Sequence, residues 1–323
     1  MQTPFKSSSA ASVVEVRNLT KKYGQVTAVD DLSFDVPSGQ VVGLLGPNGA
    51  GKTTAMKMLM GLVTPTSGSA SLLGADTASA KFAHTVRRAG SLIETPALYE
   101  RLSARQNLDL QALALGTTAG NGRIDELLDL VDLVDRANDK AGTFSLGMKQ
   151  RLGIAIAMVG NPEIVILDEP ANGLDPAGIV EIRKLLRRLP DMGTTVLVSS
   201  HQLAEVQQAC DRLVIMANGR LVVEGTTTEI LASYQTTDVE VRLHPDDLAA
   251  ATDRLIHLSL SSALGSGPSE LVVSLPDTWT PRDLNRVLAD AGVYAEHLAL
   301  RRVSLEAAFL EMTAPPAPTE VSA

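Results

Sequence analysis

The chain has 323 residues, of which 45% are hydrophobic and 20% charged, enough apolar material for one large folded unit and one small one. Its formal net charge of -9 argues against binding driven by nucleic-acid phosphates, which asks for a basic stripe. A single cysteine, Cys210, excludes an internal disulfide, and no apolar run reaches the ~18 residues of a bilayer-spanning helix.

The N-terminal MQTPFKSSSAAS lacks the apolar stretch of a secretory signal, so the chain is expected in a reducing, cytosolic setting. Residues 1–12 read as a flexible tail. Across residues 13–234 short β-branched runs alternate with helical patterns, which predicts an α/β domain around a largely parallel sheet. Gln40–Leu45, Ile164–Leu167 and Thr195–Val198 have the length and composition of buried strands. Between the first two, Ile124, Leu127, Leu128, Val131 and Val134 recur at helical spacing, and all five are expected on the core face of an amphipathic helix. Residues 235–313 form a second unit, a small α+β domain in which DVEVRL, ELVVSL and HLALRRV read as strands, each followed by a helical pattern. One of those helices opens at Thr280-Pro281-Arg282-Asp283, with a cap, a proline at the first helical position and an acid at the third. Residues 314–323 carry three prolines and read as disordered.

The strongest chemical signal is Gly46-Pro47-Asn48-Gly49-Ala50-Gly51-Lys52-Thr53, which fits G-x-x-x-x-G-K-[ST] between a strand and a helical pattern. Glycines let the backbone curl so that successive N–H groups point at phosphate oxygens, and the helix start adds its positive dipole end. Lys52 would reach the β- and γ-phosphates of ATP, Thr53 would bind Mg²⁺ through its hydroxyl, and Thr54 follows in the same phosphate-contacting run. A plain glycine-rich turn is the bland alternative, and the strand–loop–helix setting disfavours it. Ile164–Leu167 ends in Asp168 and Glu169, and ligands of parallel sheets collect at the carboxyl ends of strands. Asp168 would support Mg²⁺, and Glu169 would orient and polarise the water that attacks the γ-phosphate. His201, after the strand TVLVSS, could touch the γ-phosphate from a third strand end.

Phe144-Ser145-Leu146-Gly147-Met148-Lys149-Gln150-Arg151 resembles the signature motif of ABC ATPases, usually L-S-G-G-Q followed by Q-R. Tyr23 stands where that family places an aromatic that stacks on adenine, Ala171-Asn172-Gly173-Leu174-Asp175-Pro176 resembles its D-loop, and His201 takes the place of its switch histidine. The resemblance covers roughly Val13 to Ser233 and implies a P-loop NTPase fold with a helical subdomain. It also implies that Ser145 and Gly147 bind the γ-phosphate held by an opposite subunit, with Asp175 at the same junction. Leu146 and Met148 depart from the pattern. So does Glu94, which stands where the family usually has a glutamine bridging Mg²⁺ and the transport partner. A carboxylate there would still suit Mg²⁺, a hard cation that prefers oxygen; the bland reading is a solvated loop acid.

SLIETPALY together with FSLGMKQRLGIA looks most like the ATPase subunits of ABC-2 type exporters, of the bacitracin and daunorubicin resistance kind. Ser304–Leu310 resembles the segment that closes their C-terminal domain. The resemblance implies an ATP-hydrolysing motor that pairs with a second ATPase subunit, most simply a copy of itself. A separate permease would hold it on the cytoplasmic face of the cell membrane, with Pro96 to Leu108 forming part of the groove for a permease helix and Tyr99 and Leu102 as apolar contacts. One chain with one cradle and one signature needs such a partner. The rival readings are a soluble ABC ATPase working on ribosomes or DNA, an importer motor, and a regulatory module that holds ATP without cleaving it. The first usually has two cradles or long coiled-coil insertions, and the last is disfavoured by Asp168, Glu169 and His201.

Overall fold

The computed structural model describes residues 11–116, 121–233, 238–265, 267, 269–276 and 278–301. They fall into two compact units that divide between Ile230 and Leu231. Strands of the first are β1 (Ser12–Tyr23), β2 (Val26–Pro37), β3 (Val41–Leu45), β4 (Ser67–Leu72), β5 (Ala75–Asp76), β6 (Ala89–Leu92), β7 (Ile164–Leu167), β8 (Thr195–Ser200), β9 (Arg212–Ala217) and β10 (Arg220–Thr226). Its helices are α1 (Lys52–Leu59), α2 (Phe82–Thr85), α3 (Ala104–Ala114), α4 (Asn121–Leu130), α5 (Leu146–Ala157), α6 (Pro176–Arg188) and α7 (Leu203–Ala209), and α8 (Thr227–Ser233) spans the division.

The three strands expected from the sequence form the centre of a six-stranded sheet of order β10-β9-β3-β8-β7-β6. All its pairings are parallel except β10 on β9. Strands β3, β7 and β8 are buried at every residue, as strands covered on both faces must be, which is why they read as continuous apolar runs. Register sets the site. Leu45 pairs with Ser200 and Leu167 with Val198, so the segments leaving β3, β7 and β8 emerge beside one another.

An antiparallel sheet of order β2-β1-β4-β5 was not anticipated. Its first two strands are joined by a tight turn at Gly24, whose φ of 57° suits glycine. Helix α1 shares one core with both sheets: Ala55, Met56, Met58 and Leu59 pack with Val14, Val16 and Phe34 of one and Val42, Leu44 and Ile166 of the other. The helix that begins at Lys52 is therefore anchored from two sides.

Helices α3, α4 and α5 make the expected helical part. Ser103 caps α3 in a reciprocal box, its Oγ accepting from Gln106 N and its own N donating to Gln106 Oε1. Ile124, Leu127 and Leu128 of α4 are buried, and Val131 just beyond it is too. Val134 corrects the sequence reading. It is 54% exposed, because α4 ends at Leu130 and Asp132 turns to a φ of 54°, which breaks the helical phase before Val134.

The second unit runs β11 (Asp238–Arg242), α9 (Leu248–His257), β12 (Ser261–Leu264), β13 (Glu270–Ser274), α10 (Pro281–Asp290), β14 (His297–Leu300). The antiparallel order β12-β13-β11-β14 is the split βαββαβ arrangement of ferredoxin-like domains. Val239, Val241, Leu271 and Val273 alternate inward onto Ala251 and Leu255 of α9 and Leu284 and Leu288 of α10. Helix α10 starts where the sequence placed it: Thr280 N and Oγ1 both donate to Asp283, at 2.8 and 2.6 Å, and hold its carboxyl below the usual range. β12 was not anticipated, and the HLALRRV run is strand over His297–Leu300. The expected closing segment Ser304–Leu310 and the terminal tail 314–323 lie outside the described residues, as does residues 1–10 of the other tail; Ser12 already begins β1. Among the described residues no helix is long and apolar enough to cross a membrane.

Candidate nucleotide site

The chain leaves β3 at Leu45, curls, and enters α1 at Lys52. Two glycines make that curl possible. A methyl group at Gly46 would lie 2.4 Å from Met216 O, and one at Gly51, which has a φ of 98°, would lie 2.3 Å from Ala28 O. No side chain fits either place. Gly49 differs: nothing approaches its Cβ position within 4 Å, so this part of the loop borders open space. Lys52 is only 5% exposed, and its Nζ folds back to donate to Gly46 O at 2.7 Å and Pro47 O at 3.2 Å.

Asp168 and Glu169 leave the end of β7 beside this loop. Asp168, 4% exposed, accepts from Thr53 Oγ1 at 2.7 Å and from Ser199 Oγ at 2.6 Å. These two hydroxyl donors satisfy the buried carboxylate. Glu169 takes a φ of 50°, unusual for a residue with a Cβ, and its N–H donates to Ser199 Oγ at 2.9 Å. One carboxylate oxygen of Glu169 lies 3.2 Å from Lys52 Nζ, and the other pairs with His201 Nδ1. The structure therefore gathers Lys52, Thr53, Asp168, Glu169 and His201 into one connected group. Ser199 is the residue that the sequence reading missed. The Ser199-Ser200 pair, which closes β8 after the apolar residues 196–198 and directly precedes His201, was the available signal.

This donor set fits a nucleotide and a hard cation. Thr53 and Asp168 present oxygens, as Mg²⁺ prefers, and Lys52 sits at the start of a helix whose dipole favours anions.

The remaining expected residues lie elsewhere in the same unit. Tyr23 ends β1, 49% exposed, with Lys21 Nζ 5.0 Å above its ring. Glu94 follows β6 with a φ of 67°, and its Oε1 is 2.6 Å from Lys57 Nζ, one helical turn beyond Thr53 on α1. That hydrogen bond pulls Lys57 above the usual lysine range. The structure thus places Glu94 beside the Thr53 helix, held by a lysine. Ser145 caps α5, its Oγ accepting from Met148 N at 3.3 Å, and Asp175 caps α6, its Oδ1 accepting from Gly178 N at 3.0 Å. Both caps are exposed, and these bonds tie each to its own helix rather than to the Lys52 loop.

The family model described as ABC transporter matches residues 29–172. Bacitracin transport ATP-binding protein BcrA of Enterococcus faecalis is 46% identical over 68% of this chain and 70% of its own length. Daunorubicin resistance ATP-binding protein DrrA3 of Streptomyces coeruleorubidus is 36% identical over 94% of this chain and 96% of its own, and so extends through the second unit. Among solved structures, the dimeric post-hydrolysis state of the ATP-binding cassette MJ0796 with ADP and Pi superposes with a TM-score of 0.60 at 28% identity, covering 66% of this chain and 98% of that one.

Proposed function

The chain belongs to the ABC transporter ATP-binding family, and on that premise we propose that two copies close over two ATP molecules, each completing the other's site, to drive an ABC-2 type exporter. It is an ATPase and the motor subunit of an exporter, in keeping with its likeness to bacitracin transport and daunorubicin resistance ATP-binding proteins. What supports the paired reading is that Lys52, Glu169 and His201 form one ion-paired group, while Ser145 and Asp175 are exposed and cap their own helices.

In this reading Gly46 to Thr54 cradle the phosphates, with Lys52 on the β- and γ-oxygens, and Tyr23 stacks on the adenine. Thr53 and Asp168 would hold Mg²⁺, and Glu94, now paired with Lys57, would be a further oxygen donor. When bound, the ion neutralises charge that builds on the phosphate oxygens. Glu169 acts as general base. In the single chain its carboxylate occupies Lys52, so γ-phosphate binding takes over the lysine and frees the carboxylate to orient water. His201 steadies Glu169 and reaches the γ-phosphate. Ser145 and Gly147 of the mate supply a helix start to the same phosphate. Replacing Glu94 with Ala should raise the Mg²⁺ concentration needed for half-maximal ATPase activity; an unchanged requirement would return Glu94 to the status of a loop acid.

The permease would dock where the edge strand β6, the 96–98 segment, α3 and α5 surround a groove lined by Ser91, Pro96, Leu98, Gln111 and Ile156. Tyr99 stands exposed at its end of this segment. The choice of exported molecule then lies mainly with the permease. Tagged full-length chain, extracted from membranes in detergent, should bring down a multi-spanning membrane protein and hydrolyse ATP in its company. Recovery of ribosomes or DNA instead would transfer the reading to the soluble class.

A further inference from the structure

Two leucines and two glycines interlock where the start of α5 meets the 171–175 turn. A methyl group added at Gly173, whose φ is +76°, would lie 3.2 Å from Leu146 Cδ2, and one added at Gly147 would lie 3.7 Å from Leu174 Cδ2. Leu174 also reaches α6, since a methyl group at Gly178 would lie 3.3 Å from Leu174 Cβ. Each leucine thus rests on the glycine of the other segment: an added Cβ would crowd Leu146 at Gly173, and at Gly147 it would stand in ordinary contact with Leu174. Leu146 remains 49% exposed, so it does not serve the core as a fully buried leucine does. Glycine, which the usual signature motif has at this position, would make no such contact.

We propose that Leu146 and Leu174 clasp the α5 tip to the 172–175 turn, so that Ser145, Gly147 and Asp175 reach a partner chain's nucleotide as one rigid unit. Leu146 is on this account a positioning residue that acts through Ser145 and Gly147. The inference rests on the paired-site reading. Its physical basis is preorganisation: a tip that must be ordered during pairing weakens the pair, and a tip already clasped does not.

The test uses the full chain with Glu169→Gln, and reads pairing by light scattering against protein concentration in ATP and Mg²⁺. Leu146→Ala and Leu146→Gly in that background should weaken pairing by about 5–30-fold, the worth of one or two lost kilocalories. Leu146→Met, similar in volume, should pair within about threefold of the parent. Binding of a fluorescent ATP analogue to the single chain should stay unchanged, because the cradle is built from other residues. Adding Leu174→Ala to Leu146→Ala should cost less than the sum of the two single changes, since both act on one clasp. Pairing of Leu146→Ala equal to the parent overturns the clasp. So does a loss of analogue binding and melting temperature in step with pairing, which would mark general damage to the fold. A parent that never pairs overturns the paired-site reading instead, so the two failures are told apart.

Discussion

Glu169→Gln is expected to bind ATP and lose turnover by about 10²–10⁴-fold, the usual worth of a positioned general base. That range corresponds to about 3–5 kcal/mol of barrier. The amide keeps the shape of the side chain and can still bond to His201 Nδ1, while the negative charge 3.2 Å from Lys52 Nζ disappears. Loss of turnover would therefore report the missing base rather than a collapsed site. Affinity for ATP should hold or tighten, because the lysine no longer has a competing carboxylate. Single-turnover hydrolysis and equilibrium binding separate the two effects. Near-normal hydrolysis would remove Glu169 from the role of base.

Lys52→Ala acts at the other end of the same ion pair. Hydrogen bonds to charged groups contribute about 1.5–3 kcal/mol, so deleting the ammonium should weaken ATP binding by about 10–100-fold. The lysine is 5% exposed, and its other partners are the carbonyls of Gly46 and Pro47, which the loop can present to water once the side chain is gone. ATP affinity equal to the parent, measured by titration calorimetry, would refute the cradle assignment. Taken together the two variants should move in opposite directions on binding while both abolish most turnover, a pattern that a merely structural ion pair would not produce.

What could be read from the sequence was what covalent spacing fixes. The eight residues Gly46 to Thr53 must curl between a strand and a helix, and Asp168 and Glu169 must follow the last apolar residue of β7. The capping box of α10 was legible for the same reason, its partners being three residues apart. The antiparallel sheet is not legible in the sequence, because β1 alternates buried and exposed positions only over its first half and shifts register past Val16. Val134 shows the limit of periodicity, which continues in the sequence after a left-handed residue has ended the helix in space. Contacts between distant segments were not legible at all. Lys57 with Glu94, Ser199 with Asp168, and Leu146 with Gly173 each depend on strand register and on loop paths that no local pattern encodes.

In the ATP-bound pair, the exposed Ser145 tip of one chain would meet the Lys52 loop of the other. Cys210, the only native cysteine, is buried, and burial pushes its thiol well up, so it will not compete in crosslinking. One set of Glu169→Gln chains would carry Asn48→Cys and another Ser145→Cys, and the two would be mixed with ATP and Mg²⁺ and oxidised. A disulfide-linked pair containing one chain of each kind should form with nucleotide and not without it. Mixed chains that stay unlinked under those conditions, while a chain bearing both cysteines closes on itself, would contradict it.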